Sequence, residues 1–469
     1  MSLDYQQIKA VFSKQSLFED KTWKLSPSPL PLTNSQAIEL QLIGDACLAF
    51  YVALDNLYRK SLNKKKILRN GEIQADWVAN YLNKGKSEEL IQIASHKKNK
   101  GQIPPVIRPD LILTDEGWIL TELDSIPGGI GLTAYLHQIY KNHSLTEDST
   151  AVILDFYQAI TPKDVKEKNG VIAILVSEEA QTYRPEMEWL AAELQQLGKE
   201  VYVINFEDIK NDDGLLFSRI KGEEKQINVI YRFWELFDRK NITNLDLIES
   251  TFLKGNVSIT PPIKPHFEEK LGLALFHHHL LERFWKENIS KSYLKILKQI
   301  IPKTWIIEQT DLPPTAILHA PNVDKNPINS WLQLSEASKK DRNLILKISG
   351  FDETAWGSRS VTLGNDVSKE EWSTALKKAI NPANNSFYII QEYKKPKSIE
   401  HPMFDENGSI ETTTNRLRLC PYYFVHQNDN QSSKTAKLSC ILATLCPSDK
   451  KIIHGMKDAM LIPCTIIYE

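Results

Sequence analysis

The sequence predicts a mixed α/β protein on three observations. A strand–helix–strand series runs from 170 to 234, a carboxylate-bearing hairpin spans 106–124, and stretches with helical periodicity flank both. A βαβ series argues for a small parallel sheet and hairpin chemistry for antiparallel strands, so both kinds are expected in one chain. At 469 residues the chain is long enough for two or more domains.

In order along the chain, residues 37–62 carry apolar side chains at helical spacing and read as one long helix, and 72–95 continue the helical pattern. The period then changes. From Val106 to Leu123 the chain reads as two extended runs around Asp115-Glu116-Gly117. Three glycines and a proline follow (Ser125-Ile-Pro-Gly-Gly-Ile-Gly), before a helix expected from Leu132. VIAILVS is a short buried strand, EMEWLAAELQQLGKE an amphipathic helix ending at a glycine, and VYVINF and NVIYRFW two further strands. Residues 266–301 are helical again, and LILKIS, FYIIQEY, NRLRLCPYYFV and KLSCILATL are strands. The organisation expected is a helical region over 1–95, a hairpin lobe over 96–160 and a Rossmann-like parallel-sheet unit over 161–260. A helical subdomain over 261–340 and a strand-rich lobe over 341–469 complete it.

Composition narrows the classes of partner. Lys plus Arg (57) nearly balances Asp plus Glu (59), so no large single-sign field is expected and neither nucleic acid nor an anionic membrane is predicted as partner. The Lys64–Lys66 and Lys97–Lys100 runs read as solvated faces. The start lacks the apolar core of a signal peptide, and no apolar run is read as reaching the ~18 residues of a membrane span. Five cysteines at no zinc or disulfide-framework spacing fit a reducing cytoplasm.

The hairpin carries the chemistry. With a three-residue loop at Asp115–Gly117, Asp110 faces Glu122, Arg108 faces Asp124 and Thr114 faces Trp118. Alternation puts these on one face, with Pro109, Leu111, Leu113, Ile119 and Leu123 on the other as a core surface. Like charges opposite one another in a sheet are destabilising, and neighbouring carboxylates raise each other's pKa unless a cation compensates. Arg108 compensates one, and a divalent metal fits the rest. Magnesium suits such a site because it takes one or two carboxylates together with substrate phosphates and water. The same residues also fit a solvent-exposed acidic strand end with Arg108 as its counter-ion. The glycine turn after Asp124 suits backbone lying close to a ligand, at a helix N-terminus that favours anions.

Taken together, R-x-D, a turn with Gly, then E-x-D-x-x-P-G resembles the C-terminal motif of ATP-grasp ligases, with Asp124 where many members have Asn. The resemblance implies that Asp110, Glu122 and Asp124 ligate magnesium ions bridging the nucleotide phosphates, and that Arg108 stabilises the transferring phosphoryl group. It also calls for a lysine on a strand, a Gly-rich flap and a hinge strand. Lys347 in LILKIS, the loop with Gly350, Gly357 and Ser358, and Gln391-Glu392-Tyr393 in FYIIQEY occupy those positions. Lys347 also fits a lysine snorkelling from an edge strand, and the hinge an ordinary strand end before Pro396. Lys270 resembles the family's first ATP-contacting lysine. Arg416 and Arg418 alternate and either reach phosphate or a substrate carboxylate, or are exposed strand arginines.

The hairpin precedes the lysine by more than two hundred residues, the order of circularly permuted ATP-grasp proteins such as glutathionylspermidine synthase-like amide ligases. The parallel-sheet unit then corresponds to a pre-ATP-grasp domain. The resemblance implies an ATP- and Mg2+-dependent ligase that joins a small-molecule or peptide carboxylate to an amine through an acyl-phosphate. An ATP-dependent kinase, a degenerate member that binds nucleotide or a partner without turnover, and a purely structural α/β protein are the alternatives.

Overall fold

The computed structural model describes residues 4–13, 17, 22–71, 73–140, 149–310, 312–313, 316–349, 351–352, 360–382, 386–427, 434–453 and 458–467. The chain divides into two compact units. The first comprises Met1–Leu48, His96–Ile263 and Pro396–Glu469, and the second Ala49–Ser95 and Lys264–Lys395.

Two sheets build the first unit. A seven-stranded sheet runs in the order Leu30–Thr33, Met460–Ile467, Lys434–Pro447, Ile410–Gln427, Val106–Thr114, Gly117–Asp124, with Ser398–Phe404 also paired to Ile410–Gln427. The parallel strands of the second are ordered Val201–Ile204, Val171–Val176, Glu223–Phe233, Ser258–Thr260. Val171–Val176 is buried at every position, as a strand covered on both faces must be. Its successor helix, Arg184–Gln196, begins with proline in its first turn and ends before Gly198 at φ +73. Between VYVINF and NVIYRFW the chain carries strands not assigned from the sequence. These are the antiparallel strands Lys210–Asp212 and Leu215–Ile220, and the third parallel strand starts at Glu223, earlier than its apolar run suggests.

The hairpin departs from expectation at its turn. The loop is two residues, with Thr114 opposite Gly117 and Leu113 opposite Trp118. A bulge at Thr121, whose hydroxyl donates to the Asp110 carbonyl at 3.0 Å, restores the expected register beyond it. Asp110 therefore faces Glu122 and Arg108 faces Asp124. Near the turn both faces are packed: Ile112, Trp118 and Leu120 are buried together with Leu111 and Ile119, whereas Leu113 is only half-buried. On the other side of Val106–Thr114, pairing with Ile410–Gln427 runs through Ile112 and Leu111, lapses, and resumes at Ile107 and Val106. Pro109 and Pro421 lie in the lapse. Neither has an N–H to give the ladder, so the two strands part beside Asp110.

In the second unit a four-stranded sheet is ordered Thr304–Ile307, Tyr388–Glu392, Leu344–Ile348, Thr362–Leu363. Leu344, Leu346, Ile348, Tyr388 and Ile390 turn one face onto Trp372 and Leu376 of the helix Lys369–Ile380. Ser368 and Glu371 cap that helix reciprocally. The helical readings hold in kind but break into pieces: 72–95 becomes Asp76–Asn83 and Glu88–Ser95, divided at Gly85 (φ +77). Likewise 266–301 contains Leu271–His277, Glu282–Asn288 and Lys291–Ile300.

The helix Asn34–Leu62 is 29 residues long, with an 18-residue window of mean hydropathy 1.6. By length and composition it meets the requirement for a membrane span, contrary to the sequence expectation. Within the protein 61% of that window is buried, and Leu40, Ile43, Ala46, Phe50, Leu54 and Leu57 are core residues. A core helix that is apolar on most sides explains the composition.

Candidate functional site

Arg108 organises the carboxylate end of the hairpin. Its Nε donates to Asp110 Oδ1 at 3.0 Å, its Nη2 pairs with Asp124 Oδ2 at 3.0 Å, and its Nη1 donates to the Gly128 carbonyl at 3.1 Å. One planar fork thus ties both strands of the hairpin to the glycine turn. Asp110 is almost fully buried, and Arg418 from the long neighbouring strand donates to its Oδ2 at 2.9 Å. The Cys420 thiol, which burial pushes up to about 12, donates to Asp110 Oδ1 at 3.4 Å in the gap where the ladder lapses. Burial alone would raise the Asp110 carboxyl, but Arg108 and Arg418 outweigh it and hold the group below the ordinary range. Asp124 is the opposite case: burial pushes its carboxyl up, against Arg108 and the Ile126 N–H it accepts from at 2.9 Å.

Around this group stand residues of the parallel-sheet part, at the carboxyl ends of its strands, where open α/β sheets place ligands. Glu186, in the first turn of Arg184–Gln196, accepts from the N–H groups of Gly129 (2.8 Å) and Gly131 (3.1 Å). Those amides open the helix Ile130–Ile139. The anion at this helix N-terminus is therefore a protein carboxylate. The glycines are accounted for by close packing: a Cβ on Gly128 would lie 2.3 Å from the Tyr183 ring, and one on Gly129 2.3 Å from the Tyr422 hydroxyl. A Cβ on Gly131 would lie 2.8 Å from Glu186 itself. Nothing in the spacing signals this in the sequence, because Tyr183 and Glu186 reach the turn from the start of one helix and Tyr422 from a distant strand.

Burial pushes Glu186 from its ordinary 4.5 up to about 7, against the N–H groups of Gly131 and Gly129. A carboxyl whose pKa rises on folding takes up a proton, so its contribution to stability is full below pH 4.5. It falls by up to about 3 kcal/mol as pH rises to 7. Glu186→Gln removes that slope. Urea unfolding at pH 5 and pH 8 should show the wild type losing more stability between the two than the variant does, and equal losses would contradict the assignment.

The other sequence-derived candidates distribute as follows. Arg416 lies two residues before Arg418 on the same strand, and its Nη1 donates to the Lys450 carbonyl; Arg418, not Arg416, meets the carboxylates. In the second unit Lys347 projects from the face opposite the apolar core, where its Nζ donates to Gln391 Oε1 at 3.0 Å. Gln391 Nε2 in turn donates to Thr304 Oγ1 at 2.9 Å, making a polar row across three strands. The Glu392 N–H donates to the Lys303 carbonyl at 2.9 Å and the Tyr393 N–H to the Asn343 carbonyl at 3.0 Å, so both hinge amides are engaged within the unit. Lys270 stands at the N-cap of Leu271–His277. Gly350, Gly357 and Ser358 lie outside the described residues.

Among the described residues no group of three or more His, Cys, Asp or Glu side chains is placed to hold a metal ion. A two-carboxylate set is present. Glu122 and Asp124 lie two residues apart on one strand, and the Asp124 side chain keeps 26% of its surface exposed. Arg108 bonds to both Asp110 and Asp124 and Arg418 to Asp110, and a divalent cation suits two neighbouring strand carboxylates.

The chain folds as a mixed α/β protein with parallel and antiparallel sheets. It is similar over nearly its whole length to a glutathione synthetase-like effector from Globodera pallida. The TM-score is 0.54 at 14% identity, covering 94% of this chain and 90% of that one. A putative gamma-glutamylcysteine synthetase from Methylobacillus flagellatus KT (TM-score 0.38, 10% identity, 84% and 82% covered) is more distant. So is D-alanyl-alanine synthetase A from Vibrio cholerae (TM-score 0.24, 12% identity, 53% and 67% covered). No protein-family model matches the chain, and no curated protein matches it in sequence.

Proposed function

We propose that the protein is an ATP- and magnesium-dependent ligase that joins a carboxylate to an amine, with ATP-grasp parts in circularly permuted order. The observation that supports this best is the carboxylate end of the hairpin, where Asp110 faces Glu122, Arg108 faces Asp124 and Arg418 closes the group. The fold shared with the glutathione synthetase-like effector supports the class.

In this reading the substrate carboxylate takes the terminal phosphoryl group of ATP, ADP leaves, the amine attacks the acyl carbon and phosphate departs. Magnesium, when bound, neutralises phosphate charge. Glu122 and Asp124 would hold it: Asp110 is almost fully buried between Arg108 and Arg418, whereas Asp124, although bonded to Arg108 and to the Ile126 N–H, keeps part of its side chain exposed. Arg108 serves as the fixed cation beside the transferring group, already oriented by three partners and needing no rearrangement. Lys347, oriented by Gln391, is the phosphate-binding lysine of the second unit. With the amides of Glu392 and Tyr393 and the Tyr393 carbonyl engaged, the Glu392 side chain is the group that would accept from the nucleotide there.

Hydroxylamine tests the reaction class. With ATP, magnesium and a panel of amino-acid and short-peptide carboxylates, a ligase forms hydroxamate alongside ADP, because hydroxylamine intercepts the activated acyl group. ADP release with a phosphorylated product and no hydroxamate would make the protein a kinase.

A further inference from the structure

We propose that Glu186 is a positioning residue for Arg108, a buried carboxyl group that fixes the glycine turn and through it the Gly128 carbonyl on which the guanidinium rests. The significance for phosphoryl transfer rests on the ligase reading; the relay itself rests on geometry.

Glu186 uses both oxygens. Oε1 accepts from Gly129 and Gly131, and Oε2 accepts from Gly129 at 3.0 Å. Those two amides bracket the entry to Ile130–Ile139, with Gly129 at φ +92, a conformation that a side chain would strain. Fixing the Gly129 amide fixes the peptide plane it shares with the Gly128 carbonyl. That carbonyl receives two donors, Arg108 Nη1 at 3.1 Å and the Tyr422 hydroxyl at 2.8 Å. The route from Glu186 to Arg108 is therefore one shared peptide plane and two hydrogen bonds. It also closes the helix N-terminus to any phosphate of a ligand, leaving anion recognition to the hairpin and its arginines.

The ionisable groups around Glu186 are Arg108 from the hairpin, Tyr183 at the entry to its own helix, Tyr231 from the parallel sheet and Tyr422 from the long strand. Burial raises all three tyrosines, so none of them ionises in the neutral range. Among the described residues Asp110 and Asp124 are both bonded to Arg108; Asp110 is held below the ordinary range, so Asp124, which burial raises, is the one whose titration would mimic the effect.

The test is an NMR pH titration of the full-length 15N-labelled protein, wild type and Glu186→Gln, following the Gly129 and Gly131 amides and the Arg108 Nε–H. The expected result is that all three wild-type resonances shift with one shared midpoint near neutral pH, and that none does so in the variant. Glycine amides that titrate while Arg108 stays fixed would overturn the relay, and so would an absence of titration in the wild type. An Arg108 shift that persists in Glu186→Gln would belong to Asp124 and would overturn it too. The wild-type titration stands even where the variant folds poorly. Failure to bind MgATP would remove the ligase reading without altering these resonances, which keeps the two failures apart.

Discussion

Replacing Asp55 with asparagine is expected to destabilise the protein by about 3–5 kcal/mol, the cost of leaving a buried charge without its partner. The charge is Lys264, with no exposed surface, whose Nζ pairs with Asp55 Oδ1 at 2.8 Å. His266, equally buried and stacked on Tyr58 at 4.2 Å, donates from Nε2 to the same oxygen at 3.1 Å. Burial pushes His266 down to about 4, so at pH 7 it is a neutral donor, and Lys264 is the fully buried cation. Burial opposes the charge on Asp55 as well, but His266 and Lys264 outweigh it and bring the carboxyl to about 2 from its ordinary 3.8. The sign follows from that lowering. The stabilisation is complete above pH 3.8 and is lost as pH falls toward 2, by about 2 kcal/mol. Urea unfolding at pH 7 reads the main effect. A loss below about 1 kcal/mol would mean that Lys264 finds another partner or releases its proton.

Arg108→Lys is expected to lower phosphoryl transfer by about 10²-fold or more while leaving nucleotide affinity nearly unchanged. Lysine keeps the charge, but an ammonium on a flexible stem cannot reproduce three bonds in fixed directions, to Asp110, Asp124 and the Gly128 carbonyl. The fork is lost and the cation is no longer held in place. Comparing kcat with KM for ADP release reads this directly: a fall confined to kcat is the expected signature, whereas a rise in KM alone would make Arg108 a binding group. Arg108→Met serves as the contrast, since it also removes the charge that holds Asp110 ionised, and it should lose stability as well as turnover.

Much of this architecture was legible in the residues. Alternation across a three-residue Asp115–Gly117 loop predicts Asp110 opposite Glu122 and Arg108 opposite Asp124, and the structure reaches those pairings by a two-residue loop and a compensating bulge. The bulge at Thr121 was not legible, because a bulge is a compromise among neighbouring strands and has no signature in a short apolar run. By contrast, Val171–Val176 and its successor helix were clear, since an unbroken apolar hexapeptide and a capped amphipathic repeat each satisfy one local rule. Polar strands such as Lys210–Asp212 escaped the reading because their pairing is decided by the neighbouring hairpin arm. The occupant of the glycine turn was hidden for a related reason. A Pro-Gly-Gly segment before a helix reads equally as a ligand cradle or as a place where other side chains crowd the backbone, and only the arrival of Tyr183, Glu186 and Tyr422 decides. Lys264, His266 and Asp55 form their cluster across a long stretch of sequence that no spacing rule connects.

Calorimetric titration of ATP into the wild type and into the double variant Glu122→Ala/Asp124→Ala, with and without magnesium, asks whether the hairpin holds the nucleotide's metal. Magnesium-dependent binding to the wild type that the double variant loses, with the variant still folded by circular dichroism, is the expected result. Binding that ignores both substitutions, or no binding by the wild type at any magnesium concentration, would contradict a metal site on the hairpin.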